Sequence, residues 1–181
     1  FSVAEKEMLR KTMRGLAKFQ VVAAEQFDFN QCYPQPEFNL RSILWDLNYF
    51  KYCFLKPVGN SFDEKALEDD FERFAEKLLS FPKTMWGFMY RDCQSRNVMI
   101  HKDKPYWIDF QSGRYGPCIY DIVSFLWQAK ACFENDFREQ MIDIYLESCR
   151  QKGVAIDEKL FREMLPSYVL FRTLQVLGAY G

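Results

Sequence analysis

Apolar residues recur at helical intervals from Val3 to about Phe27, at Met8, Leu9, Met13, Leu16, Phe19, Val22 and Ala23. The spacing predicts one long amphipathic helix. Asp28 to Pro36 reads as a turn-rich connector, because Pro34 and Pro36 block helix continuation. Leu40, Ile43, Leu44, Leu47, Phe50 and Phe54 carry a second helix, expected to end before Pro57 and the Gly59-Asn60 turn. Ser61-Phe62-Asp63-Glu64 fits a capping box, with hydroxyl and carboxylate satisfying opposite orphan amides. A third helix then runs through Leu67, Phe71, Phe74, Ala75, Leu78 and Leu79 to about Ser80.

The pattern changes between Thr84 and Phe110. Met85–Met89 and Asn97–Ile100 are short β-prone pieces, His101–Pro105 reads as a hairpin turn, and Tyr106–Ile108 as its return strand. So few strands cannot make an independent sheet and must lie on the helices. Helical spacing resumes after Pro117 over Tyr120–Phe133, Phe137–Gln151 and Asp157–Tyr180, with Pro166 expected to kink or divide the last. The fold class expected is mainly α (α+β), a helical domain with a small β-hairpin in its middle. The four tryptophans, Trp45, Trp86, Trp107 and Trp127, are expected in the core with the many phenylalanines. The acidic run Asp63, Glu64, Glu68, Asp69, Asp70 and Glu72 is expected to be a solvated helix face.

A chain of 181 residues, 49% hydrophobic and 18% aromatic, supports one domain with its own core and excludes disorder. The 24 basic and 25 acidic side chains leave a net charge of −1, so neither nucleic acid nor an anionic membrane is favoured as partner. No apolar run approaches the roughly 18 residues needed to span a bilayer. The six cysteines form no C-x-x-C pair and His101 is the single histidine, which leaves a zinc site unsupported. Free thiols in a reducing cytoplasm are the expected state and place. Phe1 rather than Met opens the chain, so the native start is expected to be missing.

The candidate chemistry lies in Tyr90-Arg91-Asp92-Cys93-Gln94-Ser95-Arg96-Asn97 and in Ile108-Asp109-Phe110-Gln111. A hairpin between these stretches returns Asp109 beside Asn97. Phosphoryl transfer to a hydroxyl needs such a set: a carboxylate to orient and deprotonate the acceptor, and oxygen ligands to hold Mg²⁺ against nucleotide phosphates. Asp92 and Asn97 stand five positions apart, the interval of the kinase pattern H-R-D-x-x-x-x-N. Arg91 and Arg96 are candidates to steer phosphate or bind a substrate carboxylate. Gln94 and Gln111 lie beside the site as candidate sugar contacts.

Arg91-Asp92 with Asn97, then Ile108-Asp109-Phe110, resembles the catalytic loop and metal-binding strand of the aminoglycoside phosphotransferase (choline-kinase-like) family of the protein-kinase-like fold. The longer match through Gln94-Ser95-Arg96-Asn97, Asp109-Phe110-Gln111 and Gly116-Pro117…Tyr120-Asp121 is similar to a bacterial subgroup that includes amino-sugar anomeric kinases. The resemblance implies Asp92 as catalytic base, Asn97 and Asp109 as ligands of Mg²⁺ and hence of the ATP phosphates, and Asp121 as an anchor of the catalytic loop through its backbone amides. The sequence departs at Tyr90, where a histidine is usual, and at Cys93, read as a small buried filler. Asp46, Asn48 and Tyr49 lie on a helix that relatives place near the acceptor.

The kinase fold also needs a small β-rich lobe with a phosphate-covering loop and a lysine–glutamate pair. No G-x-G-x-x-G or P-loop occurs, and no strand carrying a lysine precedes the loop. Residues 1–181 are therefore expected to be the C-terminal lobe only, with little phosphotransfer activity alone. The full protein is expected to move the γ-phosphoryl group of ATP to a sugar or amino-sugar hydroxyl with Mg²⁺. Kinases of choline, an amino acid or an aminoglycoside stay open as alternatives, as does a non-catalytic binding module.

Overall fold

The computed structural model describes all 181 residues. Helix α1 (Val3–Gln26) starts at a capping box in which Ser2 and Glu5 satisfy each other's backbone N–H. Its buried stripe, Thr12, Met13, Leu16, Ala17 and Gln20, keeps the helical spacing read from the sequence. Helix α2 (Leu40–Phe50), capped by Asn39, does not end where expected. It widens into a π-helical turn over Lys51–Leu55, continues as the short α3 (Lys56–Val58) and stops at Gly59, whose φ is 81°. Pro57 is tolerated because it sits in the first turn of a new segment, where its missing N–H is not needed.

Helix α4 (Glu64–Leu79) is capped by Asp63, which accepts from the Ala66 N–H at 3.0 Å, rather than by Ser61. Glu64 is instead drawn to Lys51 at 3.1 Å and Lys56 at 2.9 Å. Lys51 is wholly covered, and Glu68 holds it at 2.8 Å. Part of the acidic run therefore neutralises a covered cation instead of only facing solvent.

Two small antiparallel sheets follow. Strand β1 (Trp86–Met89) pairs with β4 (Arg114–Pro117), setting Trp86 opposite Pro117 and Met89 opposite Arg114. β4 is not foreseeable locally, since Arg-Tyr-Gly-Pro has no strand alternation. A Cβ on Gly116 would come within 2.9 Å of Met89 Sδ and 3.0 Å of Phe38 Cβ, so close packing requires glycine there. The other sheet is the expected hairpin, β2 (Val98–His101) with β3 (Lys104–Trp107). Its turn is tighter than expected: Lys102 and Asp103 take φ of 46° and 57°, and Pro105 lies in the strand opposite Ile100. One strand of each sheet, β1 and β3, packs on α1, as the small number of strands demanded.

Helix α5 (Ile119–Leu126) ends well before Phe133. The Gln128 side chain donates to the Phe125 carbonyl at 2.6 Å and accepts from Ser95, and Cys132 turns left-handed at φ 47°. Helices α6 (Asn135–Arg150) and α7 (Glu158–Tyr180) complete the chain, and Pro166 does not divide α7. α1 packs chiefly on α6, and α7 on α2 and α5. A continuous core joins them, with Phe38, Tyr120 and Phe171 in mutual ring contact. Trp86 is buried, whereas Trp45 is 72% exposed on α2, against the expectation for the tryptophans. All six cysteines are free thiols. No helix is long and apolar enough to cross a membrane.

Candidate active site

The buried strand β1 delivers the chain into a turn at Tyr90-Arg91-Asp92, where Arg91 has φ 73°. That strained turn is held from below by Asp121, in the first turn of α5. Its two carboxylate oxygens accept from the backbone N–H of Tyr90 at 2.7 Å and of Arg91 at 2.8 Å. Gln20 of α1 donates to the same carboxylate at 2.6 Å, and the Tyr145 hydroxyl donates to the Gln20 amide oxygen at 2.7 Å. Asp121 is fully buried, and burial pushes it up to about 7 against these hydrogen bonds and the charge of Arg172.

Beyond the turn, the half-buried Asp92 accepts from Gln94 Nε2 at 2.5 Å. Arg96, 70% exposed, stands 3.6 Å from its other oxygen, and Arg172 of α7 lies 3.7 Å from the first. Asn97 is 5% exposed and donates through Nδ2 to the Asp92 carbonyl oxygen at 2.9 Å. The Asn97 carbonyl in turn accepts from the Ile108 N–H at 3.0 Å, extending the β2–β3 ladder by one pair. Asp109 follows at once, exposed, with φ 67° and no hydrogen-bond partner. The Tyr90 hydroxyl donates to the Ile108 carbonyl, so the residue standing where histidine is usual ties the loop to the strand before Asp109.

The structure thus links Asp92, Asn97 and the Ile108-Asp109 step in one network and sets Asp121 beneath it. Gln94 and Arg96 meet Asp92 itself. Gln111 is exposed and bonds to none of these residues. Arg91 turns away from the loop to pair with Asp46 of α2 at 2.7 Å. Gln175 of α7 donates to the other oxygen of Asp46 at 3.2 Å and accepts from Arg172 at 2.6 Å. Asn48 is spent on its own helix, donating to the Leu44 carbonyl. Burial pushes the Cys93 thiol well up, and Cys93 is a core filler. Gln20, Arg172 and Gln175 escaped sequence reasoning because each sits in a helix with no local mark of its role, and Gln128 because it stands in the turn that follows α5.

No cluster of three or more His, Cys, Asp or Glu side chains could hold a metal. The donors available are the Asn97 amide oxygen, left free because Nδ2 makes the internal bond, and the Asp109 carboxylate. Two hard oxygen donors suit an ion that draws its other ligands from water and substrate phosphates, as Mg²⁺ does.

A helical lobe with a strained Arg-Asp turn, held by a buried aspartate and followed by a hairpin ending in a second aspartate, is the architecture of kinase-like phosphotransferases. The chain belongs to the phosphotransferase enzyme family (APH), whose pattern matches residues 4–153. It is 31% identical over 127 residues to the N-acetylmuramate/N-acetylglucosamine kinase of Neisseria meningitidis serogroup B, covering 68% of this chain and 37% of that protein. Solved structures share the fold at low identity. The amicoumacin kinase hAmiN in complex with AMP-PNP, Ca²⁺ and Ami matches with TM-score 0.70 and 15% identity over 99% of this chain and 53% of its own. The choline kinase of Cryptosporidium parvum Iowa II matches with TM-score 0.59 and 13% identity over 96% and 57%. This chain spans little more than a third of the curated relative and about half of the solved chains.

Proposed function

We propose that the complete protein is an ATP-dependent kinase of a sugar or amino-sugar hydroxyl, and that these 181 residues are its large lobe. The observation that carries this reading is the direct hydrogen bond from Asn97 to the Asp92 carbonyl, continued by the ladder pair to Ile108 and Asp109. The bond ties the loop that carries the proposed proton acceptor to the strand end that carries the proposed oxygen donors, the set that phosphoryl transfer asks of a protein. The likeness to the amino-sugar kinase supports the acceptor class, and the AMP-PNP in the hAmiN complex supports the nucleotide.

In this reading Asp92 orients the acceptor hydroxyl and takes its proton as the phosphoryl group transfers. Gln94, Arg96 and Arg172 surround its carboxylate and fix its rotamer. The Asn97 oxygen and the Asp109 carboxylate would hold Mg²⁺, which when bound neutralises charge on the nucleotide phosphates. Asp121, Gln20 and Tyr145 hold the loop in its strained form, so catalysis rests on positioning and charge rather than on covalent chemistry. The test is ADP release by the complete protein with ATP, Mg²⁺ and a panel of amino sugars, followed by identification of the phosphorylated hydroxyl. Sugar-dependent and ion-dependent ADP release is expected. ADP release only with choline, an amino acid or an aminoglycoside, or with none of the panel, overturns the reading. The 181-residue chain assayed alone is expected to turn over little or no ATP.

A further inference from the structure

A groove of about 640 Å³ runs between α1 and the β2–β3 hairpin. Its helical wall is one stripe, Lys11, Gly15, Lys18, Val22 and Gln26, at the three- and four-residue spacing of a single helix face. The other wall is β3, through Lys104, Pro105 and Trp107. Gly15 stands mid-helix, where glycine weakens a helix, because a Cβ there would run into the Trp107 ring. Trp107 also stacks on Phe19, with ring centroids 6.1 Å apart. The floor is therefore aromatic, and solvent reaches the apolar walls: Val22 is 40% and Phe27 41% exposed.

The rim carries three ammonium groups and no carboxylate. Lys18 and Lys104 are exposed and their side chains bond to nothing in the protein. Lys11 donates only to the backbone carbonyl of Asp103, at 3.3 Å, and the Asp103 carboxylate forms no ion pair. Glu7, the nearest acid along this part of α1, is taken by Arg10 and Arg14. In a chain of net charge −1, three uncompensated cations around an aromatic floor are a local excess. Charge complementarity then favours an anionic occupant with apolar groups to bury.

Length selects among such occupants. From Lys11 to Gln26 the stripe runs about 22 Å, at 1.5 Å per helical residue. A compact small molecule would leave most of it bare, whereas about seven residues of extended chain match it at 3.3 Å each. A bilayer surface is too flat to enter a groove walled by a helix and a hairpin.

We infer that this groove docks an acidic, extended peptide segment of a partner protein, with one or two apolar side chains on the aromatic floor and carboxylates at Lys18 and Lys104. Docking there asks nothing of the proposed phosphoryl transfer, so each can fail without the other.

The experiment is fluorescence anisotropy of a fluorescein-labelled seven-residue peptide, two central leucines flanked by aspartates, with the complete protein. Saturable binding that weakens with added salt is expected. Asparagines in place of the aspartates, or serines in place of the leucines, are each expected to weaken it about tenfold. K18E/K104E is expected to weaken it about tenfold or more at an unchanged unfolding midpoint. K130E/K159E, which makes the same charge change at two exposed lysines outside the groove, is expected to leave it unaltered. Absence of saturable binding, or equal losses in the two double variants, overturns the inference. Binding to phosphatidylserine vesicles in place of the peptide makes the groove a membrane contact and also overturns it. Should K18E/K104E not fold, the asparagine peptide decides alone, and undiminished binding of it overturns the inference.

Discussion

The two small sheets make opposite use of the same four-residue strand. Every residue of β1 is buried, and β4 leaves only Tyr115 partly open, whereas no residue of β2 or β3 is buried. The first sheet feeds the Tyr90–Asp92 turn and is clamped by aromatic contacts of Phe88 with Phe19, Phe27 and Phe29. The second ends at Asn97 and Asp109 and leaves Met99, Ile100 and Tyr106 about half exposed. One sheet supplies rigidity and the other access. The same division separates the two acids at their ends: Asp121 is sealed under three donors, while Asp109 is exposed and unpartnered. Preorganised groups need such a support, and reactive ones need an opening.

Substitutions test this contrast. F88A is expected to cost about 3–5 kcal/mol, the range for emptying a core aromatic site, as read by denaturant unfolding. A loss under about 1 kcal/mol would break the claim that the first sheet is the support. D92A in the complete protein is expected to lower turnover roughly a hundredfold or more, on the scale of removing a general base, with little change in unfolding midpoint. Near-normal turnover would remove Asp92 from the chemistry.

D121N is expected to destabilise the chain by roughly 2 kcal/mol, because an amide cannot accept from all the donors that now face the carboxylate. The pH dependence gives a second reading. Asp121 titrates near 7 when folded against an ordinary value of 3.8, so between those values the folded chain holds a proton that the unfolded chain has lost. Its contribution is full below about pH 4 and is lost as the pH rises through 7. The stability gap between wild type and D121N should narrow over that window, and a gap that widens would contradict the burial argument. At the other end of the scale, M99A on the open sheet is expected to change stability by less than about 0.5 kcal/mol. A larger loss would mean that the hairpin belongs to the core.

The helices and the hairpin were legible in the chain because their signals are local. Spacing of Met13, Leu16 and Ala17 buries one face of α1, and Asp92 and Asn97 share a single short loop. Boundaries failed where a partner outside the local pattern intervened: Lys51 drew Glu64 out of a capping box, and Ser95, 33 positions away, holds the Gln128 side chain that closes α5 early. Trp45 misled for the opposite reason, since its size suggests burial but α2 turns it to solvent.

Periodicity and residue type thus settled which segments are helical, where the hairpin lies and which short stretch holds the candidate chemistry. Only tertiary packing settled that β4 is a strand, that Arg91 leaves the loop for Asp46, and that Gln20 reaches Asp121 across 101 positions. Packing alone also left Arg114 covered and unpaired. Contacts between residues so far apart impose no repeat on the sequence around them, whereas a helix or a tight turn must write its geometry into neighbouring side chains.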